Sequence, residues 1–182
     1  MKEIETRITH IDVDEIRNKL KKLNAIKVKE ENQINNIFDF EDRRLLNNKG
    51  YARIRVVEDL IKGETRNYIT VKKLISQEKY KIMDEHETEI KSATTGEDIF
   101  KALGLTLIQS IKKYRESYKY KDTLIEIDIN QKDFCPFPYI EIESSDESEL
   151  EEVITLLGYT MKDTTSKSIY EILNGEVNIK GL

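Results

Sequence analysis

Charged side chains in this chain recur at every second residue, segment after segment, and the residues between them are apolar. Successive side chains of a β-strand point to opposite faces, so residues i and i+2 lie side by side on one surface. Glu3, Glu5 and Arg7 share a face while Ile4 and Ile8 point the other way. Arg53 and Arg55 alternate with Ile54 and Val56, and Thr70 and Lys72 with Ile69 and Val71. Glu87 and Glu89 precede Ile90, Lys113 and Arg115 straddle Tyr114, and Glu126 and Asp128 alternate with Ile125, Ile127 and Ile129. Glu141 and Glu143 alternate with Ile140 and Ile142. This period predicts strands near 2–9, 32–40, 51–58, 67–74, 80–91, 106–120, 123–130 and 138–144. Short polar breaks such as Lys121-Asp122 suit antiparallel hairpins, and a meander of this length can close on itself.

Helical spacing is confined to a few places. Ile16, Leu20 and Leu23 line a helix starting near Asp12 or Asp14, and Leu150, Val153, Ile154 and Leu157 line another between Ser145 or Asp146 and Gly158. Ile99, Phe100 and Leu103 mark a shorter one stopped by Gly104, and Ser168 to Leu173 reads as a terminal helix. The fold class expected is therefore α+β: an eight-stranded antiparallel closed β-barrel with flanking helices. A length of 182 residues, with no Pro-rich linker, points to a single domain over 1–182.

The charge pattern is sorted by sign, with Glu-Glu pairs on some strands and Arg-Arg or Lys-Arg pairs on others. Like charges about 4 Å apart repel by roughly 4 kcal/mol at an effective dielectric of 20 and by about 1 kcal/mol in water. One pair could be a solvated outer face, but repetition on nearly every strand calls for a compensating partner. Clustered carboxylates without His or Cys are hard oxygen ligands suited to Mg²⁺ or Mn²⁺. Clustered Arg and Lys on rigid strands match the oxygens of a polyphosphate. Both sets meet only if the charged face is the inside of the barrel and the apolar face is the outside, covered by helices.

Other features set limits. Thirty Lys and Arg against 35 Asp and Glu leave a net charge of -5, the wrong balance for a general nucleic-acid binder. One cysteine, Cys135, excludes an intramolecular disulfide or a thiolate zinc cluster. No apolar run reaches the ~18 residues of a membrane span and Met1-Lys2-Glu3 leads straight into a strand, so a cytoplasmic protein without membrane partners is expected. His10 and His86 read as rim residues, Cys135 as a loop thiol, and Lys19, Lys21 and Lys22 as a solvated helix face.

The motifs together resemble the CYTH superfamily of triphosphate tunnel metalloenzymes, which includes class IV adenylate cyclases and thiamine triphosphatases. The family's N-terminal ExExK is similar to Glu3-Ile4-Glu5-Thr6-Arg7, and its YFD-type strand to Asn36-Ile37-Phe38-Asp39. Its RxR matches Arg53-Ile54-Arg55, its TxK Thr70-Val71-Lys72, and its KxR Lys113-Tyr114-Arg115. Glu126-Ile127-Asp128 and Tyr139 to Glu143 resemble its late acidic strands, and Ser166-Lys167-Ser168 with Glu171 its C-terminal segment. The resemblance covers residues 1 to about 173. Three departures stand out: Arg7 replaces the usual Lys, His86 stands where an Arg usually precedes the central ExE pair, and the terminal Tyr is displaced to Tyr170 or replaced by Ile169.

The resemblance implies a tunnel holding a triphosphate-containing small molecule (ATP, thiamine triphosphate or tripolyphosphate) with Mg²⁺ or Mn²⁺. Carried over residue by residue, Glu3, Glu5 and Glu141 would be metal ligands, with Asp128, Glu143 and Glu87 or Glu89 as a second set. Arg7, Arg53, Arg55, Lys72, Lys113, Arg115 and Lys167 would grip phosphates, and Glu5, Arg7 and Lys72 would carry the catalytic work. Phosphohydrolase chemistry ranks first, class IV adenylate cyclase second, and a non-catalytic polyphosphate or nucleotide binding module third; a homodimer is compatible with all three. Phe38, Tyr51, Phe137 and Tyr139 are the aromatics available for stacking a ring.

Overall fold

The structure, a computed structural model, describes the backbone of residues 2–179 and the side chains of residues 4–175. Eight strands, β1 (Lys2–Thr9), β2 (Ile26–Asp39), β3 (Tyr51–Asp59), β4 (Glu64–Gln77), β5 (Lys81–Ile90), β6 (Thr106–Tyr120), β7 (Thr123–Asn130) and β8 (Tyr139–Ser144), form a closed barrel in the order β1-β5-β4-β3-β2-β6-β7-β8. Every neighbouring pair is antiparallel. Closure removes the free edges that an open sheet would expose. The helices are α1 (Val13–Lys22), α2 (Arg44–Asn47), α3 (Ala93–Ala102), α4 (Glu147–Leu156) and α5 (Ile169–Ile179), with a 3₁₀ turn at Met161–Asp163.

The barrel is inverted, as the alternation requires. Ile8, Ile125, Ile127, Ile140 and Ile142 point outward and pack with Ile16 and Leu20 of α1 and Leu150, Val153 and Ile154 of α4. A second outer core joins Phe38, Ala52 and Ile54 to Phe100 of α3. α1, α3 and α4 each start where a side chain caps them: Asp12 accepts from Glu15 N, Ser92 from Thr95 N, and Asp146 from Glu149 N. Gly96 lies so close to Ile54 and Ile90 that a Cβ would come within 2.8 Å and 2.6 Å of their Cδ1 atoms, which lets α3 settle on the sheet. Among the described helices none is long and apolar enough to cross a membrane.

Several boundaries differ from the sequence expectation. β2 starts at Ile26, six residues before the expected start at 32, because its first half pairs with the far end of β6 (Ile26 with Lys119, Glu30 with Glu116). α3 begins at Ala93, and α5 runs on to Ile179. α2 has no counterpart in the hydropathy pattern. It forms because the buried Asp39 accepts hydrogen bonds from Phe40 N, Leu45 N and Leu46 N at 2.7, 3.1 and 2.9 Å.

Candidate active site

Because apolar side chains occupy the outer face, the charged ones converge inside. The lumen is a cavity of about 740 Å³ lined by Glu5, Arg7, Arg53, Arg55, Lys72, Lys113, Arg115, Glu141 and Glu143, together with Lys81, Glu85, Glu87 and Glu126. The register explains the pairing: Glu5 lies across from Glu143 and Lys81, Arg7 from Glu141, and Glu126 from Glu141. Arg7 Nε donates to Glu141 Oε1 at 2.7 Å, its Nη2 to Glu5 Oε1 at 3.1 Å, and its Nη1 to the Lys167 carbonyl at 3.0 Å. Lys81 Nζ donates to the same Glu5 oxygen at 2.9 Å. On the opposite wall Arg115 grips Asp128 through two bonds of 2.6 Å and reaches Glu141 Oε2 at 2.7 Å, while also pairing with Glu126. Arg53 and Arg55 share Glu87 at 3.3 and 2.7 Å, and Lys72 pairs with Glu85 at 2.7 Å.

Electrostatics divide these groups. Burial alone would raise the Glu5 and Glu141 carboxyls, but Arg7, with Lys81 for one and Arg115 for the other, holds both below the usual range. Glu143 behaves oppositely: burial and the carboxylates of Glu126 and Glu141 push it well up. Lys72 stays protonated more firmly than a free lysine, because Tyr51, Glu5 and Glu85 outweigh its burial. Burial and the adjacent Arg115 lower Lys113. Burial and Arg53 lower Arg55.

The donor set fits a hard divalent cation. Glu126, Glu141 and Glu143 each offer a carboxylate oxygen, and these oxygens lie within 4.8 Å of one another. An all-oxygen trio is suited to Mg²⁺ or Mn²⁺. Glu143 accepts no hydrogen bond from a described residue, which leaves its oxygens available. A cation there would also offset the repulsion that raises its pKa.

The structure gathers most of the expected residues into this lumen, with four distinctions. The Glu3 side chain lies outside the described residues. Asp128 is fully buried and clamped by Lys113 and Arg115, and it does not itself line the cavity. Glu89 follows Glu87 on the same face yet is exposed at the end of β5 and does not line the cavity. Lys167 is exposed; its carbonyl, accepting from Arg7, is the part of it tied to the site. Of the aromatics, Tyr51 and Tyr139 line the cavity, whereas Phe38 packs on Phe100 and Phe137 stacks on His10 with ring centroids 3.9 Å apart. Lys81, Glu85 and Glu126 were not among the expected site residues. For Glu126 the signal was present, since it shares a strand face with Asp128.

Comparison with known proteins follows the same lines. No curated protein matches the chain. Among solved structures, the PH1012 protein of Pyrococcus horikoshii is 24% identical over 93% of this chain and 98% of its own, with a TM-score of 0.74. A proposed adenylate cyclase of Vibrio parahaemolyticus is 19% identical over 94% of this chain and 97% of its own, with a TM-score of 0.74. HpAC1 of Hippeastrum, a proposed adenylyl cyclase described as having a dominant triphosphatase activity, is 15% identical over 96% of this chain and 95% of its own, with a TM-score of 0.68. At these identities the likeness is one of fold. The family model for the CYTH domain matches residues 1–169, and on that match over an inverted, charge-lined barrel the chain belongs to the CYTH family.

Proposed function

We propose that this chain is a divalent-metal-dependent phosphohydrolase that takes a triphosphate substrate into its barrel. One observation carries the reading: a belt of Arg and Lys side chains faces a trio of converging carboxylates inside a single enclosed lumen. Arg53 and Arg55 on β3, Lys72 on β4, Lys81 on β5 and Lys113 and Arg115 on β6 present fixed positive charge to phosphate oxygens. Such preorganised charge stabilises the negative charge that shifts onto leaving oxygens in phosphoryl transfer. Glu126, Glu141 and Glu143 would hold Mg²⁺ or Mn²⁺, which when bound polarises phosphate oxygens and offsets their charge.

The roles expected of Glu5, Arg7 and Lys72 take a definite form here. Arg7 cannot lose a proton, so it orients Glu5 and Glu141, which it bridges directly. Lys72 acts as a fixed cation, in keeping with its raised pKa. Glu5, held ionised between Arg7 and Lys81, is the carboxylate placed to hold a water or a second cation beside Glu143. The triphosphatase activity named for HpAC1, which shares this fold, supports ranking hydrolysis before cyclisation.

The test is incubation with tripolyphosphate, ATP and thiamine triphosphate, with Mg²⁺ or Mn²⁺, across neutral and alkaline pH, following phosphate, pyrophosphate and cyclic AMP. Metal-dependent release of phosphate is the expected result. Cyclic AMP with pyrophosphate would make the chain an adenylate cyclase, and tight binding without any product would make it a binding module. Either outcome overturns the hydrolase reading.

A further inference from the structure

An inverted barrel turns its apolar residues outward, so each outward sector needs a cover. Helices supply it in two places. α3 lies over Phe38 and Ile54, and its Glu97 accepts from Asn36 Nδ2 at 2.9 Å, which marks the edge of that cover on β2. α1 and α4 lie over Ile125, Ile127, Ile140 and Ile142, and Arg17 of α1 donates to Glu116 at 2.5 Å, which marks the edge of the second cover on β6. Between those edges two outward rows of side chains remain. In one, Val56 of β3, Ile34 of β2 and Lys112 of β6 stand side by side. In the next stand Glu58, Asn32, Tyr114 and, on β7, Ile129.

These rows line a groove of about 480 Å³ to which no helix contributes a described residue. Ile34 and Ile129 are 38% and 37% exposed, whereas Phe38 and Ile125, on the same faces of the same strands, are 0% exposed under their helices. A single exposed isoleucine needs no explanation, but a contiguous apolar strip at a gap in an otherwise covered wall does. The charges beside the strip say what fits it. Lys112 stands one strand to one side of β2 and Glu58 one strand to the other, offset by one row. Among the described residues neither is in an ion pair, and Glu58 accepts one hydrogen bond, from Asn32 Nδ2 at 2.8 Å. Beyond the edge, by contrast, Glu116 is paired with both Arg17 and Lys27.

A second copy of this chain carries the matching set. A two-fold axis lying between two such faces and crossing β2 between Asn32 and Ile34 sets Lys112 of one protomer against Glu58 of its partner. Symmetry then repeats the pair on the other side. The strip of Ile34 and Val56 is closed off from water between the two pairs. We infer that the chain self-associates through its β3-β2-β6-β7 face as an isologous dimer, with Ile34 at the centre and two Lys112–Glu58 pairs across it. Two rows over four strands, at ~4.8 Å between strands, fall short of the ~800 Å² per partner of a standard stable interface, so the dimer is a concentration-dependent one of micromolar affinity. The face lies on the opposite side of these strands from the lumen, and it stands whatever the lumen binds.

Sedimentation velocity of the full chain, from about 1 μM to about 500 μM to bracket a micromolar affinity, tests this. The wild-type mass is expected to rise with concentration from one chain towards two. Lys112→Glu and Glu58→Lys each make both contacts repulsive at once, and each alone is expected to weaken association about a hundredfold. An equimolar mixture of the two variants restores opposite charge at both contacts, since one supplies two carboxylates and the other two amines, and is expected to associate about as tightly as wild type. Ile34→Asn, expected to weaken association about tenfold, is a second disruption that brings no charge. Circular dichroism checks that each variant is folded. A wild-type chain that stays monomeric throughout overturns the inference. So does a dimer that these substitutions leave intact, which would be built on another face, or one that the mixture fails to restore.

Discussion

Among the described residues Glu143 makes no ion pair or hydrogen bond, and Lys72 only partly offsets the carboxylates around it. Glu143 lies across β1 from Glu5 and beside Glu126 and Glu141, and burial together with those two raises its pKa well above the ordinary value. A raised carboxyl pKa in the folded state means that stability falls as pH rises from the unfolded value of 4.5 towards the folded one, because the folded chain holds its proton longer. Glu143→Gln should therefore raise the melting temperature at neutral pH without metal, on the order of 3 °C. It should also shrink the extra stabilisation given by Mn²⁺. A melting series with and without Mn²⁺ checks both, and an unchanged Mn²⁺ effect would remove Glu143 from the cation site. Arg7 makes the opposite case, being 7% exposed and bonded to Glu141, Glu5 and the Lys167 carbonyl at once. A lysine has three donors on one point and cannot reproduce that planar fork. Arg7→Lys should cost about 2 kcal/mol, a melting temperature lower by roughly 4–8 °C, even though it restores the residue the family's motif would have. Differential scanning calorimetry of the metal-free protein measures it, and an equal or higher melting temperature would mean that Arg7 is not structurally required.

At the scale of elements, the outer wall depends on polar tethers as well as apolar contact. Arg17 of α1 donates to Glu116 of β6 at 2.5 Å, and the hydroxyls of Tyr114 and Tyr118 donate to the same carboxylate at 2.8 and 2.7 Å. Although burial opposes it, this set brings the Glu116 pKa from 4.5 down to about 2. A depressed carboxyl pKa contributes stability that is complete above the unfolded value and is lost as pH falls through the folded one. The stability gap between wild type and Glu116→Gln, measured by urea unfolding, should thus be widest near neutral pH, narrow below about 4.5 and close near 2. A gap independent of pH would show that the carboxylate's charge does not matter. Elements of this kind differ in how plainly the sequence announces them. The strands are legible because a period of two with opposite polarity on its two faces has one geometric solution, and the lumen set Glu5, Arg53, Arg55, Lys72, Lys113, Arg115 and Glu141 follows from it. Lys81 is less legible, since Lys79, two residues before it, lies outside β5 and pairs with Glu147 and Glu151 of α4, while Met83, two residues after it, is apolar, so no alternation of charge along β5 marks its face. That Glu126 lines the cavity and Asp128 does not is set by the Arg115 fork from a neighbouring strand, which no local pattern contains. Glu89 has the right face but lies beyond the cavity, and how far a strand outruns its barrel is a property of register. The four-residue α2 depends on Asp39, seven residues before the Leu46 amide it accepts from.

For the whole molecule, inversion of the barrel has a thermodynamic consequence. The apolar area that stabilises the fold is on the outside, under α1, α3 and α4, so the lumen contributes to folding mainly through charges that must satisfy one another. Arg53 Nε and Arg55 Nε are buried without a hydrogen-bond partner, and Arg55 is lowered by burial and by Arg53, so cation repulsion remains inside even with the carboxylates present. A multivalent anion that enters the folded barrel and has no comparable site on the unfolded chain must stabilise it by linkage, by about 2.7 kcal/mol at one hundred times its dissociation constant. At roughly 2–4 °C per kcal/mol for a chain of this length, tripolyphosphate at that level should raise the melting temperature by about 5–11 °C in metal-free buffer. Sodium chloride at matched ionic strength should not reproduce the rise, because it screens the lumen charges without bridging them. Arg53→Ala combined with Arg55→Ala should largely abolish the tripolyphosphate shift while the fold, whose apolar cores those residues do not join, persists. Thermal melts of the two proteins across a tripolyphosphate titration decide the matter. A wild-type melting temperature insensitive to tripolyphosphate would mean that the interior charges are a closed network of ion pairs and not a receptor for phosphate, and the proposed substrate class would fall with it.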